Sequence, residues 1–374
     1  MKRIPFLDYI RFIACFLVML VHACENYYGA TDGATAGPVA FLADESDRLW
    51  VSIYDGLSRI SVPLFIIVSA FLLVPMKEGM TARRFYTRRF ARIVPPVLVF
   101  MVLYCVVPML TGQIDTTTAL HDFWHIPFNF PAAAGHLWFI FPLLSIYLFI
   151  PIISPWIKNV SAREERFFIY LFLVSTCIPY LNRFVGDVWG QCFWNEYHTL
   201  WYFSGYLGYL VLAHYIHYHL KWSVKKRMAI GAASFAAGSA VTVWSFYVQA
   251  VPGVSIPTPV AEIGWSFCTI NCVAATFGAF LMFSCINKES KIVKEISLLS
   301  FSMYLMHLLW MPFWVKLIKF DMDWPTVLDI PVIAVGTFLS CYVTAKLLSF
   351  VPGCRLLFGI DKPAPETASS SVVC

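Results

Sequence analysis

The stretch FLDYIRFIACFLVMLVHACENY, residues 6–27, decides what kind of molecule this is. It is long enough to cross a bilayer, which takes about 20 mainly apolar residues, yet it carries Asp8, Arg11, His22 and Glu25. Ionisable groups inside a span are costly and mark functional positions by default. Arg11 and His22 stand eleven residues apart. That is about 1,100° of helical rotation, so they share a face within roughly 20° and lie about 16 Å apart along the axis. Asp8 and Glu25 each fall three residues from one of them, near enough to reach the same stripe. One helix therefore presents an acid–arginine pair towards one end and a histidine–acid pair much deeper. On spacing alone, a snorkelling Arg11 with a helix-packing His22 fits as well as an imidazole general base held in one tautomer by a carboxylate.

The rest of the chain has the same character. Of 374 residues, 59% are apolar and only 13% charged, against about 25% charged in soluble domains. With 33 Phe, 18 Tyr and 13 Trp, the apolar surface exceeds what a soluble chain of this size buries. Disordered, collagenous and disulfide-stapled classes are excluded. Ten segments have spanning length: 6–27, 56–75, 93–111, 136–154, 167–183, 199–218, 229–250, 262–286, 296–318 and 328–352. The expectation is an all-α polytopic membrane protein with about ten transmembrane helices and no separate soluble domain. Residues 1–355 form one transmembrane domain, and 356–374 read as a disordered cytoplasmic tail. The first span reads as retained rather than as a cleaved signal, because Arg11 and His22 interrupt it. No internal repeat is visible, which speaks against an inverted-repeat transporter.

Orientation follows from the basic residues. With the N-terminus cytoplasmic, inside segments hold 20 of the 27 lysines and arginines, and outer segments only Arg48, Arg59, Arg183, Lys316 and Lys319. The alternation holds loop by loop and places both termini in the cytoplasm. The net charge of +5 is thus mostly topology. It points to the lipid bilayer as partner, not to nucleic acid. Eight of the eleven cysteines lie in apolar helices, there is no CxxC, and neither a disulfide nor a metal site is expected. His121 and His125 lack a third ligand, and His214, His217 and His219 read as interfacial.

Three further stretches carry polar groups. FYTRRFARIVPP, residues 85–96, sets Arg88, Arg89 and Arg92 ahead of the third span. Paired guanidinium forks suit a pyrophosphate or phosphomonoester, and a positive-inside anchor accounts for them equally. SFSMYLMHLLW, residues 300–310, puts Ser300, Tyr304 and His307 on one face in mid-span. GHLWFIFPLLSIYLFIP, residues 135–151, sets His136 and Trp138 at the outer boundary, a normal place for an aromatic belt.

Together these stretches resemble the integral-membrane acyltransferase-3 family. LDYIRFIACFLVMLVH (7–22) is similar to its first-helix signature, and Arg89-Phe90-Ala91-Arg92 to its Arg-x-x-Arg pair before the third helix. VPLFIIVSAFLL (62–73) resembles its second-helix block, with Ser69-Ala70 where Ser-Gly is usual. HLWFIFPLLSIYLFIP (136–151), FSGYLG (203–208) and SFSMYLMH (300–307) match further blocks in family order. The subgroup most resembled O-acetylates bacterial surface polysaccharides, such as enterobacterial common antigen and intercellular adhesin.

The resemblance implies a multi-pass protein of the bacterial cytoplasmic (inner) membrane that moves an acetyl group from cytoplasmic acetyl-CoA to a sugar hydroxyl. The acceptor is a surface glycan or its lipid-linked precursor. Acetyl-CoA is a co-substrate, and no permanently bound cofactor is expected. Arg88, Arg89 and Arg92 would hold the phosphates. The pantetheine arm would pass Arg11, and His22 would act as general base or carry the acetyl group transiently, with Glu25, on the strength of its spacing alone, orienting the ring. Asp8 would pair with Arg11. His136, Trp138, Tyr304 and His307 are the candidate substrate contacts, with Trp124, Trp189 and Trp194 as further stacking surfaces. Two alternatives stand beside this reading: a flippase or transporter for a lipid-linked glycan, and succinyl rather than acetyl transfer.

Overall fold

The computed structural model describes residues 3–29, 37–322 and 324–361. Helices α1 (Pro5–Glu25), α2 (Glu45–Ser58), α3 (Ser61–Leu73), α4 (Ala82–Leu110) and α5 (Thr116–His125) come first. A 3-10 segment, Ala132–Phe139, leads into α6 (Ile140–Asn159), followed by α7 (Ala162–Ser175) and α8 (Ile178–Phe184). A 3-10 turn at Trp201–Phe203 precedes α9 (Leu207–Tyr218), α10 (Val224–Gln249), α11 (Thr258–Ala261) and α12 (Ile270–Phe283). The chain ends in α13 (Lys291–Val315), α14 (Thr326–Leu348) and α15 (Cys354–Phe358). The strands among the described residues are a two-residue antiparallel pair, Val39–Ala40 with Ile256–Pro257.

Among the described residues, nine segments are long and apolar enough to span a membrane. The protein is an all-α, multi-pass membrane protein. The expected segment 199–218 is not among the nine. Ser204 and Gly205 separate its 3-10 turn from α9, and Gly205 takes a φ of +75°. The remaining 12-residue helix rises only about 18 Å and is buried among α3 and α7.

Helix α1 is the centre of the bundle, in contact with α2, α3, α12, α13 and α14. Pro5 starts it at a position where a missing N–H costs nothing. At its other end the Asn26 side chain donates to the carbonyls of His22 (2.8 Å) and Ala23 (3.3 Å), satisfying groups that a helix end leaves open. Helices α10 and α12 pack backbone to backbone. A Cβ on Gly238 would stand 2.4 Å from the Asn271 carbonyl oxygen, and one on Gly278 2.4 Å from the Phe235 amide nitrogen. Small residues at a helix crossing supply the van der Waals contact that drives association in lipid.

Two expectations are corrected. The tail does not begin at 356, because that boundary falls inside α15. This short helix is closed by Gly353 and Gly359 at φ of +76° and +70°. It packs on α4, and Cys354 and Ile360 are buried. Residues 362–374 lie outside the described residues. Arg59 is likewise no outer helix end. It sits between α2 and α3 inside the span Glu45–Leu73, 7% exposed in its side chain. Its Nε lies 2.6 Å from Asp55 Oδ1, and its Nη2 donates to Asp55 Oδ2 at 2.8 Å. Glu262 stands 3.6 Å away, and the guanidinium lies 4.3 Å from the Trp265 ring centroid. Two charged residues in a spanning segment are tolerable because they neutralise each other.

Removing Arg59 strands the buried Asp55 carboxyl and leaves the half-buried Glu262 without its cation, a loss of about 3–5 kcal/mol. Arg59→Ala should therefore lower the thermal midpoint of the purified protein by several degrees. Exposed Arg183→Ala should leave it within about 0.5 kcal/mol of the parent. Equal shifts would mean the network adds nothing.

Candidate active site

The basic residues of two distant stretches meet in one cavity of about 410 Å³, within the usual range of about 300–1,000 Å³ for ligand sites. Arg11 enters from α1, Arg88, Arg89 and Arg92 from the first turns of α4, and Lys77 from the turn after α3. Thr81 caps α4, its hydroxyl accepting from the Arg84 amide at 3.3 Å, so the arginines fall on consecutive turns. The helix then runs unbroken through Pro95 and Pro96. Phe65, Leu72, Ile140, Leu143 and Tyr147 supply apolar wall, and Ser300 and Tyr304 from α13 close the inner end.

The neighbours of these cations decide which are free. Asp8, expected to pair with Arg11, is mainly taken by others. Arg3 donates to it from Nε at 2.6 Å and Nη2 at 2.9 Å, and Ser297 Oγ at 2.7 Å. Arg11 Nη1 keeps only a 3.8 Å contact. Its guanidinium is thus available to the cavity. Arg92 is ion-paired with Asp361, which Arg355 approaches at 3.6 Å. Arg89 lies over the Phe85 ring, 5.7 Å from its centroid.

Beyond Tyr304 lies a cluster that spacing did not foretell. His22, His136 and His307 come from α1, the 3-10 segment Ala132–Phe139 and α13. Their ring centroids are 5.1 Å apart for His22–His307, 4.6 Å for His136–His307 and 6.3 Å for His22–His136. His22 Nδ1 is 2.7 Å from Glu25 Oε2, so the expected histidine–acid pair forms and both residues are buried. That contact leaves His22 Nε2 as the nitrogen for other chemistry.

His307 Nδ1 is 2.6 Å from the Tyr304 carbonyl, and His136 Nε2 3.3 Å from the Leu305 carbonyl. Tyr304 donates its hydroxyl to the His136 carbonyl. It therefore lines the cationic cavity and touches the histidines at once. Among the described residues, His136 Nδ1 and His307 Nε2 have no hydrogen-bond partner, although buried polar atoms nearly always have one.

The placing of the remaining candidates is mixed. His136 is 1% exposed and belongs to this buried cluster, not to a lipid-facing aromatic belt. The turn at Ala132–Phe139 tucks it under Tyr304. Trp138 is half-buried and stacks on Phe267 at 5.7 Å. Trp124, Trp189 and Trp194 are exposed and line neither cavity described here. Lys77, Tyr147 and Asp361 join the site without any earlier signal, since only the fold brings their segments together. A second, more open cavity of about 620 Å³ is lined by Arg59, Glu262, Trp265, Tyr206 and Phe267. The ten described cysteines are all free.

No curated protein and no solved structure matches this chain. The acyltransferase-3 family model, an acyltransferase domain, matches residues 4–346. The chain belongs to that family.

Proposed function

We propose that this membrane acyltransferase takes its acyl group from acetyl-CoA and delivers it to a sugar hydroxyl of a surface glycan or its lipid-linked precursor. One observation carries the reading: a cavity lined by Arg11, Lys77, Arg88, Arg89 and Arg92 ends on Tyr304, against which the His22 cluster is packed. A CoA thioester is a polyanion at one end and a neutral arm at the other. Arg88 and Arg89 receive the phosphates, and Arg92 exchanges Asp361 for a phosphate oxygen. The apolar walls from α3 and α6 take the arm. The positive-inside pattern of the sequence supports placing the arginine end at the cytoplasm.

At the inner end, Glu25 fixes the His22 ring through Nδ1, and Nε2 takes the proton of the acceptor hydroxyl. The alkoxide oxygen attacks the thioester carbonyl carbon. The new C–O bond forms as the C–S bond breaks, and the departing thiolate recovers the proton from the imidazolium. His307 Nδ1 and His136 Nε2 donate their ring N–H to the Tyr304 and Leu305 carbonyls. His307 Nε2 and His136 Nδ1, buried without a partner among the described residues, are therefore suited to accept hydrogen bonds from hydroxyls of the acceptor. The second cavity, with three aromatic rings beside Arg59 and Glu262, has the surfaces that sugar rings stack on and bond to.

Loss of a positioned general base typically costs about 10²–10⁴-fold. His22→Ala should lower kcat for labelled acetyl transfer by that range in reconstituted membranes, with protein levels unchanged. Glu25→Gln should lower it at least about tenfold by releasing the ring. Undiminished transfer by His22→Ala refutes the assignment. A charge-assisted hydrogen bond is worth about 1.5–3 kcal/mol. Arg89→Ala should thus raise KM for acetyl-CoA about 10- to 100-fold with kcat little changed. An unaltered KM removes Arg89 from the phosphate site.

A further inference from the structure

One buried carboxylate plays no part in the chemistry above. Glu165, in the first turn of α7, is fully buried, with 0% of its side chain exposed. Burying a carboxylate costs several kcal/mol unless it is compensated. Among the described residues no lysine or arginine is ion-paired with it, and its partners are two histidines of the α9 end. His214 Nδ1 stands 2.9 Å from Oε1, and His219 Nε2 3.1 Å from Oε2. The first contact has hydrogen-bond geometry. The second does not, and Oε2 is left as a buried oxygen without a hydrogen-bond partner. Donor and acceptor there face each other without a directed N–H···O bond. One ligand atom from each of the three residues lies within 4.8 Å of the other two.

We propose that Glu165, His214 and His219 form a binding site for a divalent transition-metal cation of the zinc class. Two imidazole nitrogens and one carboxylate oxygen are a donor set that such ions take, at about 2.0–2.2 Å from the metal, with a further position for water. A cation at their centre compensates the carboxylate. His214 is buried and His219 is 30% exposed in its side chain, so the site has a dry floor and a route to solvent. Spacing along the sequence concealed it, since Glu165 precedes His214 by 49 residues.

The site ties the start of α7 to the end of α9. Helix α9 in turn packs along α3, where the His217 ring stacks on Phe71 with centroids 3.9 Å apart. Phe65, Ser69 and Leu72 of the same α3 line the cationic cavity. The bound ion therefore braces one wall of the donor site from behind.

The test is titration of Zn²⁺ into chelator-stripped, detergent-purified protein, with the bound metal counted by elemental analysis and the thermal midpoint followed alongside. About one ion per chain and a raised midpoint are expected. Glu165→Gln and His219→Ala should each weaken binding at least about tenfold and abolish the rise in midpoint. His219 is partly exposed, so His219→Ala carries the test even if the buried Glu165→Gln variant does not fold. The exposed pair His121 and His125, stacked 4.1 Å apart on α5, is the control for adventitious binding. His121→Ala/His125→Ala should keep the stoichiometry. If His219→Ala binds Zn²⁺ as the parent does, or if binding disappears with the control pair, the site is refuted.

Discussion

A charge buried among apolar helices must find a partner inside the protein, because no solvent is there to take one. Most of this architecture can be read as meeting that demand. Arg3 and Ser297 hold Asp8, Arg59 sits between Asp55 and Glu262, and Glu25 is held by His22. Each pair joins residues a turn apart or ties one helix to another. At the site, as at Glu165, the demand is not fully met. Among the described residues, Arg11 has only a distant carboxylate, and two histidine nitrogens lack partners. Groups left in this state are held ready for a ligand that completes them.

Tyr304 gives the site its two-part form. Its ring closes the cationic cavity on one side, and its centroid is 5.6 Å from that of His136 and 5.9 Å from that of His307 on the other. In the proposed reaction, anion binding and proton transfer would therefore be separated by a single side chain. The Arg92–Asp361 pair adds a second element, since a phosphate bound there, as proposed, would have to displace the Asp361 carboxylate. Affinity at that arginine would then be a difference between two ion pairs, not the gain of one.

What the sequence revealed and what it hid divide along one line. Local periodicity exposed the helices, the shared face of Arg11 and His22, and the His22–Glu25 pair, because those depend on 3.6 residues per turn and on nothing further. The arginines of α4 were legible as a set for the same reason. Pairings across the bundle were not. Arg59 looked like a boundary residue because its partner Glu262 lies some two hundred positions on, and Asp361 fell within the expected tail. His136 read as an aromatic-belt residue because belt and buried cluster share the same sequence pattern. The segment 199–218 read as one continuous helix on hydropathy, which does not register the break before Leu207.

The central claim is that the arginine cavity and the buried histidines are two ends of one donor route. The most direct measurement is the thermal midpoint of the purified protein with acetyl-CoA, for the parent, His22→Ala and Arg89→Ala. A ligand at about 100 times its Kd stabilises by about 2.7 kcal/mol. The parent and His22→Ala should be stabilised alike, because His22 takes the proton of the acceptor hydroxyl and does not hold the phosphates, while Arg89→Ala should respond only at much higher concentration. If acetyl-CoA leaves the parent unmoved, or protects Arg89→Ala as well as the parent, the cavity is not the donor site. A translocation path for a glycan would then be the better reading of the same buried polar groups.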